Sequence, residues 1–81
     1  MDLSIISWNI RGIRRLEKKK AIRDLCRRSK ILMAFLQETK VECFERSDLR
    51  KIWANENAEM VLSSASGSAG GLLTFWGQKL L

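Results

Sequence analysis

With 81 residues and a net charge of +6, the chain has room for one small domain, which buries only about 60–65% of the surface its unfolded form exposes. Two cysteines, Cys26 and Cys43, are too few and too far apart for a disulfide framework or a zinc site. A hydrophobic share of 46% argues against wholesale disorder, no apolar run reaches the roughly 18 residues of a membrane span, and Met1-Asp2 does not open a signal peptide. The expectation is a reduced intracellular protein without a membrane partner, a nuclear setting included.

The first element is a strand. Leu3, Ile5, Ile6 and Trp8 form a β-branched and aromatic run that stops abruptly on Asn9-Ile10-Arg11-Gly12. A buried strand ending this way delivers a polar side chain to the rim of a sheet, where α/β folds bind ligands. The Asn9 amide offers one carbonyl oxygen and two N–H donors, which suits a phosphate oxygen or the orientation of a nucleophile. Gly12 lets the chain turn away.

Charge concentrates in the next segment. Residues 11–30 hold ten basic side chains against Glu17 and Asp24, a local +8 that leaves −2 for the rest of the chain. Such a one-sided block beside a phosphate-binding rim favours a polyanion, nucleic acid above all. Within it, residues 16–29 read as an amphipathic helix. Leu16, Ile22, Leu25, Cys26 and Ser29 are expected on one face, and the basic residues gather toward the last turn, where they suit the helix dipole. Cys26 is expected to be a small core residue.

A second apolar run, Ile31-Leu32-Met33-Ala34-Phe35-Leu36, ends in Gln37-Glu38-Thr39-Lys40. Two strands flanking a helix make a β-α-β unit, so they are expected to be parallel and adjacent, with Asn9 and Glu38 meeting at one edge. An amide and a carboxylate side by side there form a natural phosphate-and-metal site. Glu38 suits Mg²⁺, a hard cation that takes oxygen ligands and keeps several waters. Beyond it, residues 47–53 read as a short helix with Ser47 or Asp48 as N-cap and Leu49, Ile52 and Trp53 facing inward. Met60-Val61-Leu62 and Leu72-Leu73-Thr74-Phe75-Trp76 read as a hairpin across a small-residue turn.

Three of these stretches together resemble a known family. Ser7-Trp8-Asn9-Ile10-Arg11-Gly12, Phe35-Leu36-Gln37-Glu38-Thr39-Lys40 and Gly67-Ser68-Ala69-Gly70-Gly71-Leu72-Leu73 look like the opening motifs, in order, of the endonuclease/exonuclease/phosphatase superfamily. Within it, the likeness is closest to the apurinic-type endonuclease of non-LTR (LINE-type) retrotransposons. The resemblance implies an α/β sandwich of which residues 1–81 supply the N-terminal part, the C-terminal remainder missing. It also implies a Mg²⁺-dependent phosphodiesterase acting on DNA, with Asn9 and Glu38 as catalytic residues and Glu38 as the metal ligand. The family glycines at residues 67–71 are expected to serve close packing. Arg11 stands where some members carry an acidic residue, and Ile31-Leu32 where members commonly carry Pro-Asp.

The later family motifs have no counterpart, and the chain contains no histidine, so no acid–base imidazole comes from it. The expected function is therefore a fragment of a nuclease domain, inactive alone and dependent on the missing half. Arg11, Arg14 and Arg15 would contact the nucleic-acid backbone. The alternative is a non-catalytic basic nucleic-acid-binding fragment or a decayed retroelement product. Because the resemblance gives this chain only about the first third of the sandwich, Leu3, Ile5, Ile31, Met33, Phe35, Leu73 and Phe75 are expected to share a sheet that one helix cannot fully cover, giving marginal stability or dependence on a partner.

Overall fold

The computed structural model describes residues 3–28, 30–55, 57–64 and 70–77, without the side chains of residues 3 and 4. The chain runs β1 (Leu3–Asn9), α1 (Leu16–Arg28), β2 (Lys30–Gln37), α2 (Arg46–Ile52), β3 (Ala58–Ser63) and β4 (Leu72–Gly77). The result is a small mixed α/β protein with one four-stranded sheet in the order β1-β2-β4-β3. β1 and β2 are parallel neighbours, as a β-α-β unit requires, and Asn9 lies opposite Gln37. β4 runs antiparallel to β2 and pairs with β3 as the expected hairpin.

The register slips once. Ser4 faces Ile31 but Ile5 faces Met33, so Leu32 is an extra residue in β2, a bulge where the family resemblance had pointed to altered residues.

Both helices cover the same side of the sheet. Ile22 and Cys26 of α1 and Leu49 and Ile52 of α2 join Ala34, Leu36, Leu73 and Phe75 in one core, completed by Ile10, Ile13, Val41 and Phe44 from the connections. Strand alternation then assigns the faces. Leu73 and Phe75 are fully buried under the helices, which corrects their expected grouping with the uncovered residues. Ile31 also packs against the core. Ile5, Phe35, Trp76 and Val61 fall on the opposite face, where Ile5 and Val61 are exposed. Leu3's side chain lies outside the described atoms.

Two local expectations change. Leu16 is 67% exposed, because six residues separate it from Ile22 and that is about 120° away from the same face of a helix with 3.6 residues per turn. Ser29 lies outside the described residues. The second helix begins one residue earlier than the sequence suggests, with Glu45 and not Ser47 or Asp48 as its N-cap. Asp48 instead sits at the third helical position and accepts the Glu45 N–H at 2.9 Å, the reciprocal half of a capping box. Among the described residues no helix is long and apolar enough to cross a membrane.

The face assignment predicts very different costs for adjacent leucines. Leu73→Ala should lose about 2–5 kcal/mol, enough to unfold a marginal domain, whereas Leu72→Ala should cost well under that. Urea titrations followed by circular dichroism give the comparison, and equal costs would contradict the assigned alternation.

The two thiols should differ as sharply. Cys43 is exposed and Cys26 buried, and burial pushes the Cys26 thiol from its ordinary 9.0 to about 11. A folded pKa above the unfolded one means that the stabilisation is present below pH 9 and is lost as pH rises toward 11. A disulfide-exchange reagent should label Cys43 at once and Cys26 only on unfolding. Stability should fall between pH 9 and 11 more steeply in the wild type than in Cys26→Ala, by on the order of 1–2 kcal/mol.

Candidate functional site

The C-terminal ends of β1 and β2 and the start of β4 meet at one edge, where Asn9, Gln37 and Leu72 stand in register. Past the strand ends the backbone keeps bonding. Ile10 N–H donates to Gln37 O at 3.0 Å, Gly12 N–H to Glu38 O at 2.8 Å and Ile13 N–H to Thr39 O at 3.1 Å. On the other side, Thr39 N–H donates to Gly71 O at 3.2 Å and Lys40 N–H to Gly70 O at 2.9 Å. The three loops are thus stitched into one platform.

That stitching forces left-handed backbone. Arg11, Glu38 and Lys40 have φ of 52°, 54° and 59°, and Gly12, Gly70 and Gly71 have φ of 102°, 77° and 95°. Among the described residues these six are all that have positive φ, and all lie at this edge. For the three non-glycine residues the conformation costs about 1–2 kcal/mol each, and strain of this kind gathers where function holds a residue in place. Gly70 is needed for its φ and not for close packing, since a Cβ there would meet nothing within 4 Å; this corrects the packing role expected for it. Gly67 lies outside the described residues.

Asn9 is exposed and Glu38 half-buried. They come together through the backbone, as anticipated, with Glu38 one residue beyond the partner of Asn9. Among the described residues no hydrogen bond ties up either side chain, so both polar groups remain available. Behind them the Gln37 amide donates to Ser7 Oγ at 2.8 Å across the strands.

Arg11, Arg14 and Arg15 are all exposed around this edge. Arg14 also joins Lys19, Asp48 and Cys43 at the rim of a cleft of about 220 Å³ floored by Ile13, Val41 and Phe44. Asp48 keeps its charge while accepting its cap hydrogen bond, so the two cations Arg14 and Lys19 leave the rim at a net +1.

Two residues of the edge escaped the sequence reading. Lys40 is exposed, in left-handed conformation, with Cδ 3.9 Å from where a Gly12 Cβ would stand. Thr39 is fully buried, and among the described residues its Oγ1 has no hydrogen-bond partner. They are the first and second residues after Glu38, and both stand in the stretch Phe35-Leu36-Gln37-Glu38-Thr39-Lys40 without a site role of their own.

As a metal site the edge offers a single carboxylate. Among the described residues no group of three or more Asp, Glu, Cys or His side chains converges. The donor set fits Mg²⁺ only in the manner of sites that use one or two carboxylates, with phosphate oxygens and waters completing the shell. The chain matches no protein-family model, no curated protein and no solved structure.

The backbone geometry predicts opposite outcomes at neighbouring positions. Glu38→Gly removes the left-handed penalty and should stabilise the fold by about 1 kcal/mol. Gly12→Ala places a Cβ at φ 102° and should destabilise by about 1–2 kcal/mol. Chemical denaturation of the two variants measures both, and a destabilised Glu38→Gly would show that the Glu38 side chain contributes to folding itself.

Proposed function

We propose that the chain is the N-terminal part of an α/β phosphodiesterase domain of the endonuclease/exonuclease/phosphatase type, closest to retrotransposon DNA endonucleases. On its own it binds nucleic acid at the strand-end edge without cleaving it. The observation that supports this reading is that Asn9 and Glu38 lie at the ends of adjacent parallel strands, both without side-chain hydrogen bonds among the described residues, beside a left-handed platform near exposed Arg11, Arg14 and Arg15.

In this reading the Asn9 amide orients a phosphate oxygen, and Arg11, Arg14 and Arg15 hold the flanking backbone by charge-assisted hydrogen bonds. Glu38 would hold Mg²⁺, which when bound polarises a phosphoryl oxygen. The same edge supports binding better than turnover. One carboxylate and one amide do not supply a general base, a leaving-group acid and a metal clamp together, and the chain has no histidine to add.

The expected result with supercoiled plasmid and Mg²⁺ is no nicking. Nicking that is abolished by Glu38→Ala would instead make this chain a nuclease in its own right. Duplex DNA should bind weakly, without sequence preference and with steep salt dependence. With about four phosphates contacted, log K should fall against log salt with a slope near −3.6. Replacing Arg11, Arg14 and Arg15 together with Ala should flatten that slope more than replacing Arg23, Arg27 and Arg28. Equal effects would place duplex binding on a diffuse basic surface, and binding indifferent to salt would exclude a polyanion.

A further inference from the structure

A second cleft lies between α1 and the end of α2, away from the strand-end edge. It has a volume of about 210 Å³ and is lined by Arg23, Cys26, Arg27, Ile52, Trp53 and Ala54. Because α1 carries the chain back from the end of β1 to the start of parallel β2, its C-terminal half points away from Asn9. At about 1.5 Å per residue, Arg23 and Arg27 stand roughly 12 and 18 Å along the helix from Arg15.

The chemistry of this cleft is asymmetric. Its floor is apolar, with Ile52 fully buried and Cys26 nearly so. Its rim carries two exposed guanidiniums, four residues apart and so on one face of the helix. No carboxylate lines it, and the one salt bridge among the described residues joins Arg46 to Glu59 elsewhere. Trp53 is half-buried. Its ring centroid sits 5.2 Å from that of Phe75, tilted by 44°, so the core holds the indole in place while part of it borders the cleft.

Two unneutralised guanidiniums call for an anion, and an anchored indole over an apolar floor calls for a flat ring. The volume equals about seven waters at roughly 30 Å³ each, enough for one heterocycle. A nucleotide joins these features in one ligand, with phosphates on both sides of each base. In a duplex the bases are paired and stacked away from such a cleft, whereas an unpaired strand exposes them. An acidic peptide would meet the charge but needs an aromatic residue placed between its carboxylates. We infer that this cleft binds one nucleotide of a single-stranded nucleic acid, the base against Trp53 and the flanking phosphates on Arg23 and Arg27. The site is separate from the strand-end edge and extends the proposed function to an unpaired strand.

The test uses a fluorescently labelled short oligothymidylate, with inorganic tripolyphosphate as a competitor that has charge but no base. Arg23→Ala/Arg27→Ala removes two exposed side chains and should leave the circular dichroism spectrum unchanged. It should weaken oligothymidylate binding at least tenfold and reduce the single-strand salt slope by about 1.4, two phosphates at about 0.7 each. Trp53→Leu should weaken binding about 5- to 150-fold, the range that base–aromatic stacking covers. Wild-type affinity in the double arginine variant would overturn the inference, and that variant decides the matter if Trp53→Leu fails to fold. Tripolyphosphate competing as well as unlabelled oligothymidylate would reduce the cleft to an anion site, and an acidic tryptophan-containing peptide competing better would reassign it to a protein partner. Either result removes the nucleotide. Failure of the strand-end reading appears separately, as duplex binding unaffected by Arg11→Ala/Arg14→Ala/Arg15→Ala.

Discussion

The backbone of Thr39 is bonded on both sides, to Ile13 through its carbonyl and to Gly71 through its N–H. This double bond pattern joins three segments that are remote in sequence, and most of the architecture at the candidate site depends on it. A sheet ladder normally ends with its strands, but here bonding continues to Ile13, four residues past β1, and to Lys40, three past β2, where the chain turns through left-handed conformations at Arg11, Gly12, Glu38, Lys40, Gly70 and Gly71. Glycine supplies those angles without penalty, while Arg11, Glu38 and Lys40 do not. The buried side chains of Ile10, Ile13, Val41 and Leu73 lie immediately around the platform, and their burial offsets the strain.

Nine of the fifteen basic residues lie in residues 11–28, the loop after β1 and α1, whereas the uncovered sheet face presents Ile5, Val61 and Leu72 to solvent. β1 and β3 form the two ends of the sheet, so among the described residues each has one strand edge without a partner. Open edges beside exposed apolar side chains favour association, and a net charge of +6 opposes it by mutual repulsion. On the β3 side, Arg46 clamps the Glu59 carboxylate at 3.0 Å and donates to Ala58 O at 3.4 Å, which ties α2 to that outer strand.

The candidate site and the cleft between the helices use different physics. At the strand ends, polar side chains are presented by strained backbone, which fixes position at an energetic cost. In the cleft Arg23 and Arg27 stand on one helix face, and the indole of Trp53, the extended C-cap of α2, is braced by Phe75. In the proposed function the first arrangement would take a single phosphate. The second suits a base with its neighbouring phosphates.

The local pattern was legible in the amino acids alone. Apolar runs ending on Asn9 and on Gln37-Glu38 set two strands, a basic amphipathic stretch between them set the helix, and together they required parallel neighbours whose polar ends meet. These features follow from side-chain period and chain connectivity, which are properties of short segments. Which residues face the helices was settled by packing, because alternation has two possible phases and a single bulge at Leu32 shifts one of them. Packing also settled the left-handed angles at Arg11, Glu38 and Lys40, since a non-glycine residue in that conformation carries no compositional mark and is held there by hydrogen bonds from distant loops. The pairing of Arg23 and Arg27 with Trp53 was likewise invisible, because it is made by two helices packing against one core and by nothing between them in the chain.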